Sequence, residues 1–275
     1  MSLESLEGRV CVLTGATGGI GQALAAVLAA QGAKLILAGR DARSLAALDA
    51  RLPTGSVIEI MQGDLTRDDA RRALAERAAQ QTADTLINLC GQNDVSLFEL
   101  QRAETIESML AANLHTPLQL TRRMLPAMKH LRRPLIVNVG SVFGQIGYPG
   151  YAAYCATKFG LRGFSEALRR ELDDSTVRVV HVEPRATRTG MNRGVGDRLN
   201  EALGNRVDPP EVVARCIARA MATARPSTVI GMPERLYARI NAFLPSVIDR
   251  SLASRLGILK KVLQATPDSQ GGQHV

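Results

Sequence analysis

Three polar side chains near the middle of the chain have types and spacing suited to proton transfer. Tyr154 and Lys158 are four residues apart on a predicted helix, so their side chains share one face. Ser141 directly follows a predicted strand. A free tyrosine ionises near pH ~10, and a neighbouring ammonium group lowers that pKa because it stabilises the phenolate. The pair therefore predicts a tyrosine that acts as an acid or base near neutral pH.

A glycine-rich turn near the N-terminus could hold the phosphates of a dinucleotide. It runs from Thr14 to Gly21 as TGATGGIG, between a short apolar strand and an alanine-rich helix. Glycines let the backbone approach a pyrophosphate, and the helix N-terminus adds free N–H groups and a positive dipole end. In this strand–turn–helix context the turn predicts dinucleotide binding, with a simple tight turn as the alternative.

The residues after the second predicted strand indicate which dinucleotide is bound. The first charged side chain there is Arg40, followed by Asp41. A guanidinium group can bind a 2′-phosphate, which favours NADP over NAD. The alternative is that Arg40 faces solvent and Asp41 holds the ribose. Asp64 follows the third strand and either accepts a hydrogen bond from the adenine amino group or caps the next helix.

These residues lie in a chain in which short strands alternate with helices. Such alternation predicts an α/β fold with a doubly wound parallel sheet covered by helices on both faces. Ligands bind beyond the carboxyl ends of the strands in such a sheet, which is where the motifs lie. A weak point near Pro117 is expected within a long helix over 104–131. The predicted strands are 9–14, 34–38, 57–61, 85–89, 135–139, 177–182 and 228–230, and the other helices are 20–31, 43–52, 68–81, 152–172 and 210–224.

Taken together, the motifs resemble the short-chain dehydrogenase/reductase family. The resemblance covers about residues 6–232 and implies a single Rossmann-type domain with about seven parallel strands. It also implies hydride exchange between NAD(P)(H) and a carbonyl or alcohol. The motifs that carry it are the glycine turn, Asn88 in NLCG, Asn113, Ser141 and YCATK from Tyr154 to Lys158.

The resemblance implies a role for each of these residues. Tyr154 would exchange the proton, Lys158 would bind the nicotinamide ribose and lower the pKa of Tyr154, and Ser141 would hold the substrate oxygen. Asn113 would position a water in the proton relay, and Thr189 would touch the nicotinamide amide. The cofactor-binding residues are expected to be Thr14, Gly15, Thr17, Gly19, Ile20, Gly21, Arg40, Asp64, Leu65, Asn88, Gly91, Tyr154, Lys158, Pro184, Thr187 and Thr189.

The chain after the sixth strand departs from the family pattern. The usual Pro-Gly is Pro184-Arg185 here, which removes a permissive glycine. Arg185 is expected either to project into the active-site mouth or to face solvent. Residues 190–207 are expected to form the substrate lid, and their scarcity of large apolar side chains argues against a purely apolar substrate. The arginines of this lid are Arg193, Arg198 and Arg206.

Residues 233–266 form an amphipathic extension beyond the predicted catalytic domain of residues 1–232, and residues 267–275 read as a disordered tail. Apolar residues recur in the extension at helical spacing with Arg and Lys between them. Pro245 and Gly257 are expected to divide it into two or three short helices. The apolar stripe would dock on its own domain or a second subunit; an anionic membrane is the alternative.

Composition and charge narrow the classes of function. Of 275 residues, 45% are apolar and 22% are charged, which is typical of a globular protein. Aromatic residues make up 3% and tryptophan is absent, which disfavours stacking on nucleic-acid bases. The net charge is +8, and most of the excess lies beyond residue 184. This basic third could be a solvated face or could contact an anionic substrate, an acyl carrier or a membrane.

The sequence also predicts a cellular location and an oligomeric state. The N-terminus carries Glu4 and Glu7 before any basic residue and does not read as a signal peptide. The four cysteines lack metal-binding spacing, so reduced thiols in the cytoplasm and no metal are expected. The family resemblance implies a homodimer or homotetramer through helices 104–131 and 152–172. A non-catalytic NADP(H)-binding redox sensor or interaction module is the alternative function, against which the complete Ser/Tyr/Lys/Asn set argues.

Overall fold

Seven parallel strands form one sheet in the order β3-β2-β1-β4-β5-β6-β7. The computed structural model describes residues 5–265. Strand order reverses between β1 and β4, which defines the crevice where such sheets bind ligands. The strands are β1 (Val10–Thr14), β2 (Lys34–Gly39), β3 (Val57–Gln62), β4 (Thr85–Asn88), β5 (Leu135–Val139), β6 (Arg178–Glu183) and β7 (Ser227–Val229).

Helices cover both faces of the sheet, which confirms the predicted Rossmann-type architecture. Apolar side chains of the strands pack on two clusters, one on each face, and strands buried on both faces read as near-continuous apolar runs. The helices are α1 (Gly19–Ala30), α2 (Ala42–Asp49), α3 (Asp68–Gln80), α4 (Ala103–Leu110), α5 (Thr116–Met128), α6 (Ala152–Glu171), α7 (Val195–Ala202), α8 (Pro210–Thr223), α9 (Met232–Phe243) and α10 (Pro245–Gln264).

The long helix predicted over 104–131 is interrupted, as its weak point near Pro117 suggested. One π-helical turn, Ala111–His115, separates α4 from α5. Pro117 lies in the first turn of α5, where a missing N–H costs no hydrogen bond. Single π turns inside helices are frequent at functional sites, and this turn carries Asn113.

The predicted break at Gly257 is wrong, whereas the break at Pro245 is confirmed. Pro245 begins α10, and this helix continues through Gly257 to Gln264. An exposed glycine within a helix costs only about 1 kcal/mol relative to alanine. Ile248 and Leu259, one on each side of Gly257, are both buried, so packing holds the helix together.

The amphipathic extension docks unevenly on the rest of the chain. Helix α10 packs against α7 and buries Ile248 and Leu259. In α9 only Ala238 is buried. The large apolar side chains of α9 face outward, so α9 does not dock its apolar stripe on the chain's own domain, and docking on a second subunit stays a prediction. The predicted tail, 267–275, lies outside the described residues. Within residues 5–265 no helix is long and apolar enough to cross a membrane.

Candidate active site

The end of β5 and the first turns of α6 bring Ser141 and Tyr154 together. Ser141 directly follows β5, and its Oγ accepts a hydrogen bond from the Phe143 N–H at 3.2 Å. Tyr154 is buried, and the side chain of Ser141 is near enough to its hydroxyl to lower the pKa of that group. The two hydroxyl groups are therefore placed to contact one substrate oxygen at the carboxyl edge of the sheet.

Lys158 lies one helical turn beyond Tyr154 and beside its ring. The Nζ atom is 5.6 Å from the centre of that ring and donates a hydrogen bond to the Val139 carbonyl at 3.2 Å. Burial lowers the pKa of Lys158 to about 8. The amino group is thus mostly protonated at neutral pH and loses its positive charge as the pH rises past about 8.

The expected net lowering of the Tyr154 pKa is wrong in this structure. Burial raises the pKa of Tyr154 to about 12, and the hydrogen bond with Ser141 opposes that shift only in part. Desolvation is the largest cause of this shift, because burial disfavours the charged phenolate. Tyr154 therefore keeps its proton at neutral pH, which is the state that a proton donor needs.

Asn113 occupies the π turn and is completely buried beside this pair. Its Nδ2 donates to the Gln92 carbonyl at 2.9 Å and to Thr157 Oγ1 at 3.1 Å, and its Oδ1 accepts from the Gln92 N–H at 2.8 Å. A Cβ on Gly91 would lie 3.0 Å from Asn113 Oδ1 and 3.8 Å from Lys158 Nζ. Asn113, predicted for the proton relay, and Gly91 and Lys158, predicted as cofactor contacts, therefore lie next to one another.

The glycine turn forms a cradle that fits a dinucleotide pyrophosphate. A side chain at Gly21 would collide with the Gly15 carbonyl, and a Cβ on Gly19 would lie 2.8 Å from Thr189 Cγ2. The first turn of α1 carries no acidic side chain, so its N-terminus can accept an anion. Thr189 from the segment after β6 thus closes over the turn, as its predicted contact with the nicotinamide requires.

The remaining side chains of the turn have mainly structural partners. Thr14 Oγ1 donates to the Ile87 carbonyl and accepts from the N–H groups of Leu89 and Cys90, which fastens β1 to the end of β4. The carbonyl of Thr17 accepts from Gln22 at 2.6 Å. Ile20 packs against the core cluster under α1. These contacts fix the shape of the cradle.

Two charged residues stand where the adenosine end of the cofactor would lie. Arg40 is exposed directly after β2. Asp41 caps α2, because its Oδ1 accepts from the Ser44 N–H at 2.7 Å, and this hydrogen bonding lowers its pKa. Asp64 Oδ1 accepts from both the N–H and the hydroxyl of Thr66. The expected helix cap by Asp64 is replaced by this local turn, since α3 begins later, at Asp68.

The other predicted cofactor contacts lie along the same edge of the sheet. Asn88 is buried, and its Nδ2 donates to Asn138 at 2.8 Å, whereas its Oδ1 has no hydrogen-bond partner in residues 5–265. The carbonyl of Leu65 accepts from Thr116 at 3.0 Å. The carbonyl of Pro184 accepts from the Val142 N–H at 3.0 Å. The hydroxyl of Thr187 turns back to the Arg185 carbonyl.

Arg185 lies in neither of the two expected positions. Its Nε and Nη2 donate to both oxygens of Asp208, at 2.8 and 2.7 Å, and its Nη1 donates to Glu234 at 3.2 Å. Arg185 and Asp208 are almost fully buried. Both the active-site mouth and solvent are excluded, because two carboxylates hold the guanidinium group inside the protein.

An aromatic and aliphatic wall beside Tyr154 was missed by the sequence interpretation. Phe143 stacks on Tyr148 at 5.0 Å and lies 4.8 Å from Tyr151, ring centre to ring centre. The wall is completed by Leu199 and Leu203 near α7 and by Leu259, Val262 and Leu263 of α10. The sequence did carry one sign of this wall, because three of the chain's 4 tyrosines lie within residues 148–154.

The lid is therefore more apolar on its inner side than its composition suggested. Helix α7 turns Leu199 inward, whereas Arg193, Arg198 and Arg206 are exposed. The three arginines are exposed, and the expectation against a purely apolar substrate stays a prediction.

Comparison with known proteins adds the family relationship. The family model described as short chain dehydrogenase matches residues 9–200. Nodulation protein G of Rhizobium sp. (strain N33) is 34% identical over 200 residues, which cover 72% of this chain and 81% of that protein. The 3-oxoacyl-[acyl-carrier-protein] reductase FabG of Escherichia coli (strain K12) is 32% identical over 195 residues, covering 70% and 79% of the two chains.

Solved structures share the same fold. A short chain dehydrogenase from Burkholderia cenocepacia J2315 in complex with NADP has a TM-score of 0.78 at 24% identity, covering 90% of this chain and 98% of its own. A 3-ketoacyl-(acyl-carrier-protein) reductase from Brucella melitensis complexed with NADH has a TM-score of 0.75 at 24% identity, covering 82% and 97%. At this identity the likeness concerns the fold alone.

Proposed function

Since the chain belongs to the short-chain dehydrogenase family, we propose that it reduces an apolar ketone or aldehyde with NADPH. It is an oxidoreductase that interconverts carbonyl and alcohol groups with a nicotinamide dinucleotide. The observation that carries the proposal is the placement of Tyr154 beside Ser141, with the Lys158 Nζ 5.6 Å from its ring centre, at the same sheet edge as the glycine cradle. A redox sensor or an interaction module without turnover would not need this set.

In the proposed reaction the side chains of the site donate one proton and stabilise the negative charge that develops on the carbonyl oxygen. A dinucleotide held by the glycine cradle and Lys158 would supply the hydride for the carbonyl carbon. The hydroxyls of Ser141 and Tyr154 hold the carbonyl oxygen, and Tyr154 donates its proton to that oxygen as negative charge develops there. The ammonium of Lys158 would stabilise the resulting phenolate, and a water held at Asn113 would relay a new proton from solvent to Tyr154.

The cofactor would lie along the carboxyl edge of the sheet. The glycine cradle from Gly15 to Gly21 would hold the pyrophosphate, Lys158 would bind the nicotinamide ribose, and Thr189 would contact the nicotinamide amide. Arg40 would bind the 2′-phosphate, and this position is the basis for preferring NADP. The use of Asp41 as a helix cap supports that preference, because its carboxylate already accepts a hydrogen bond from Ser44.

The substrate's apolar part would lie against the wall beside Tyr154. Phe143, Tyr148 and Tyr151 line one side, and α7 and α10 contribute Leu199 and Leu259. Relatives named 3-oxoacyl-[acyl-carrier-protein] reductase support an acyl-type carbonyl compound. The basic C-terminal third would accommodate an anionic carrier attached to such a substrate.

The enzyme is further proposed to be a cytoplasmic homodimer or homotetramer assembled through α4, α5 and α6. Two large apolar side chains on these helices, Leu110 and Phe159, are each about 41% exposed in the single chain. Exposed apolar side chains on neighbouring helices are typical of subunit contacts.

A carbonyl panel assayed with NADPH and NADH in parallel tests the proposed function. The expected result is oxidation of NADPH with apolar ketones or aldehydes, faster than with small polar carbonyls and faster than with NADH. No turnover with any carbonyl, and none with the corresponding alcohols and NADP⁺, would contradict the proposal. Equal rates with both dinucleotides would overturn the cofactor preference alone.

A further inference from the structure

The side of α9 that faces away from the protein is apolar. Met232, Leu236 and Phe243 are 72%, 60% and 83% exposed. With the half-buried Ile240 they recur at intervals of four, four and three residues, which places them on one face of the helix. Ala238, the buried residue of α9, lies on the opposite face. The usual pattern is thus reversed, since a helix on a protein surface normally turns its polar side to water.

The apolar face continues around the corner into α10. Leu244 joins the two helices and is 58% exposed. Val247, in the first turn of α10, is 50% exposed. We call Met232, Leu236, Ile240, Phe243, Leu244 and Val247 the corner stripe.

A groove lined by arginines runs beside the corner stripe. Arg235 and Arg239 of α9 face Arg162 of α6 and Arg225 before β7 across a space of about 230 Å³. Arg162 is paired with Glu166 at 2.9 Å. Arg225 and Arg239 form no ion pair with any residue of the described part of the chain. The groove therefore holds a net positive charge that its own walls do not neutralise.

A buried hydroxyl in the same groove also lacks a partner. Thr228 of β7 lines the groove, and its Oγ1 is buried without a hydrogen bond among residues 5–265. Buried polar atoms are normally satisfied, so this hydroxyl leaves one hydrogen bond of the groove wall unmade. Arginine side chains around it match the geometry and charge of a phosphate group.

We propose that this region is a docking surface for an anionic lipid membrane. The corner stripe enters the boundary between headgroups and acyl chains, and the arginine groove binds the phosphate of a lipid headgroup. The two features lie side by side, as an interfacial helix with a basic flank requires. An anionic bilayer offers both an apolar layer for the corner stripe and negative charge for the arginines of the groove, and vesicle flotation distinguishes it from a second copy of this chain.

Flotation of the full-length chain with vesicles tests the docking surface. The chain is expected to float with vesicles of phosphatidylcholine mixed with phosphatidylglycerol and to stay behind with phosphatidylcholine alone. The double variant Leu236→Ser/Phe243→Ser and the single variant Arg239→Glu should each weaken anionic-vesicle binding by about tenfold or more. Leu100→Ser and Arg219→Glu are the matched controls, since both positions are exposed but lie outside α9, and they should bind as the unaltered chain does.

Three results would overturn the proposal. The first is that the chain does not bind anionic vesicles, even if it binds inorganic phosphate. The second is vesicle binding that Leu236→Ser/Phe243→Ser and Arg239→Glu leave unchanged. The third is a dimer that Leu236→Ser/Phe243→Ser converts to a monomer without any vesicle binding. Turnover of a water-soluble carbonyl compound is expected to survive in the double variant, so failure of docking and failure of the proposed reduction are distinguishable.

Discussion

Arg185 donates two hydrogen bonds, of 2.8 and 2.7 Å, to the carboxylate of Asp208, and the two side chains are 8% and 6% exposed. The same guanidinium group reaches Glu234 in the first turn of α9. Arg185 therefore links three parts of the chain: the segment after β6, Asp208 shortly before α8, and the first turn of α9.

Replacing this cation should destabilise the whole chain. Arg185→Ala leaves the carboxylates of Asp208 and Glu234 without their partner, and breaking a buried ion pair in this way costs about 3–5 kcal/mol. Urea unfolding followed by circular dichroism measures the loss. Arg67→Ala removes an exposed pair with Asp69 and should leave the midpoint where it is. An Arg185→Ala midpoint that matches this control would show that the pair is not structural.

Arg40 should decide between the two dinucleotides. Arg40→Ala removes a charge-assisted contact with the 2′-phosphate, which contributes on the order of 1.5–3 kcal/mol. The preference for NADPH over NADH in kcat/KM should therefore fall at least about tenfold. Arg72→Ala, at an exposed position of α3, serves as the control. Equal losses with NADPH and NADH would show that Arg40 is structural.

Phe159 should lie in a subunit contact if the chain assembles through α6. Phe159→Arg places a charge where an apolar contact is expected, and like charges at a symmetric interface repel one another. Light scattering after size-exclusion chromatography should show a smaller assembly than for the unaltered chain. Phe98→Arg is the control, because Phe98 is exposed outside these helices. A monomer before the substitution, or an unchanged assembly after it, would contradict the proposed interface.

The pH dependence should report on Lys158 and not on Tyr154. Burial lowers the pKa of Lys158 to about 8, so its positive charge is present below that pH and lost above it. The pKa of Tyr154 is about 12, so its proton stays bound across the same range. Reduction measured as kcat/KM should fall about tenfold from pH 7 to pH 9.

Lys158→Arg separates this account from a general alkaline loss of activity. A guanidinium group stays charged throughout the range, so the decline near pH 8 should disappear even if the overall rate is lower. A decline that persists unchanged in Lys158→Arg would show that another group is responsible.

The sequence predicted those parts of the site that depend on local pattern. Tyr154 and Lys158 are fixed by helical spacing, and the glycine cradle by its place between a strand and a helix. The partners of Arg185 could not be predicted, because Asp208 and Glu234 are 23 and 49 positions away and meet it only in the folded chain.

Burial and long-range packing account for the other differences. The pKa of Tyr154 was expected to be low because only its neighbour on the helix was considered, whereas desolvation by the surrounding protein raises it. Leu259 reaches the wall beside Tyr154 from the far end of the chain. The apolar stripe of α9 was expected to face the chain's own domain or a second subunit, because apolar stripes usually do. In the single chain that stripe is exposed.

Tyr154→Phe tests the central claim most directly. The substitution removes the phenolic proton and keeps the ring, so reduction of the best carbonyl substrate should fall about 10²-fold or more, while NADPH binding, followed by its fluorescence, should stay nearly unchanged. Tyr237→Phe, on the exposed surface of α9, should retain full activity. A Tyr154→Phe enzyme that still reduces the carbonyl at a rate close to that of the unaltered chain would contradict the account.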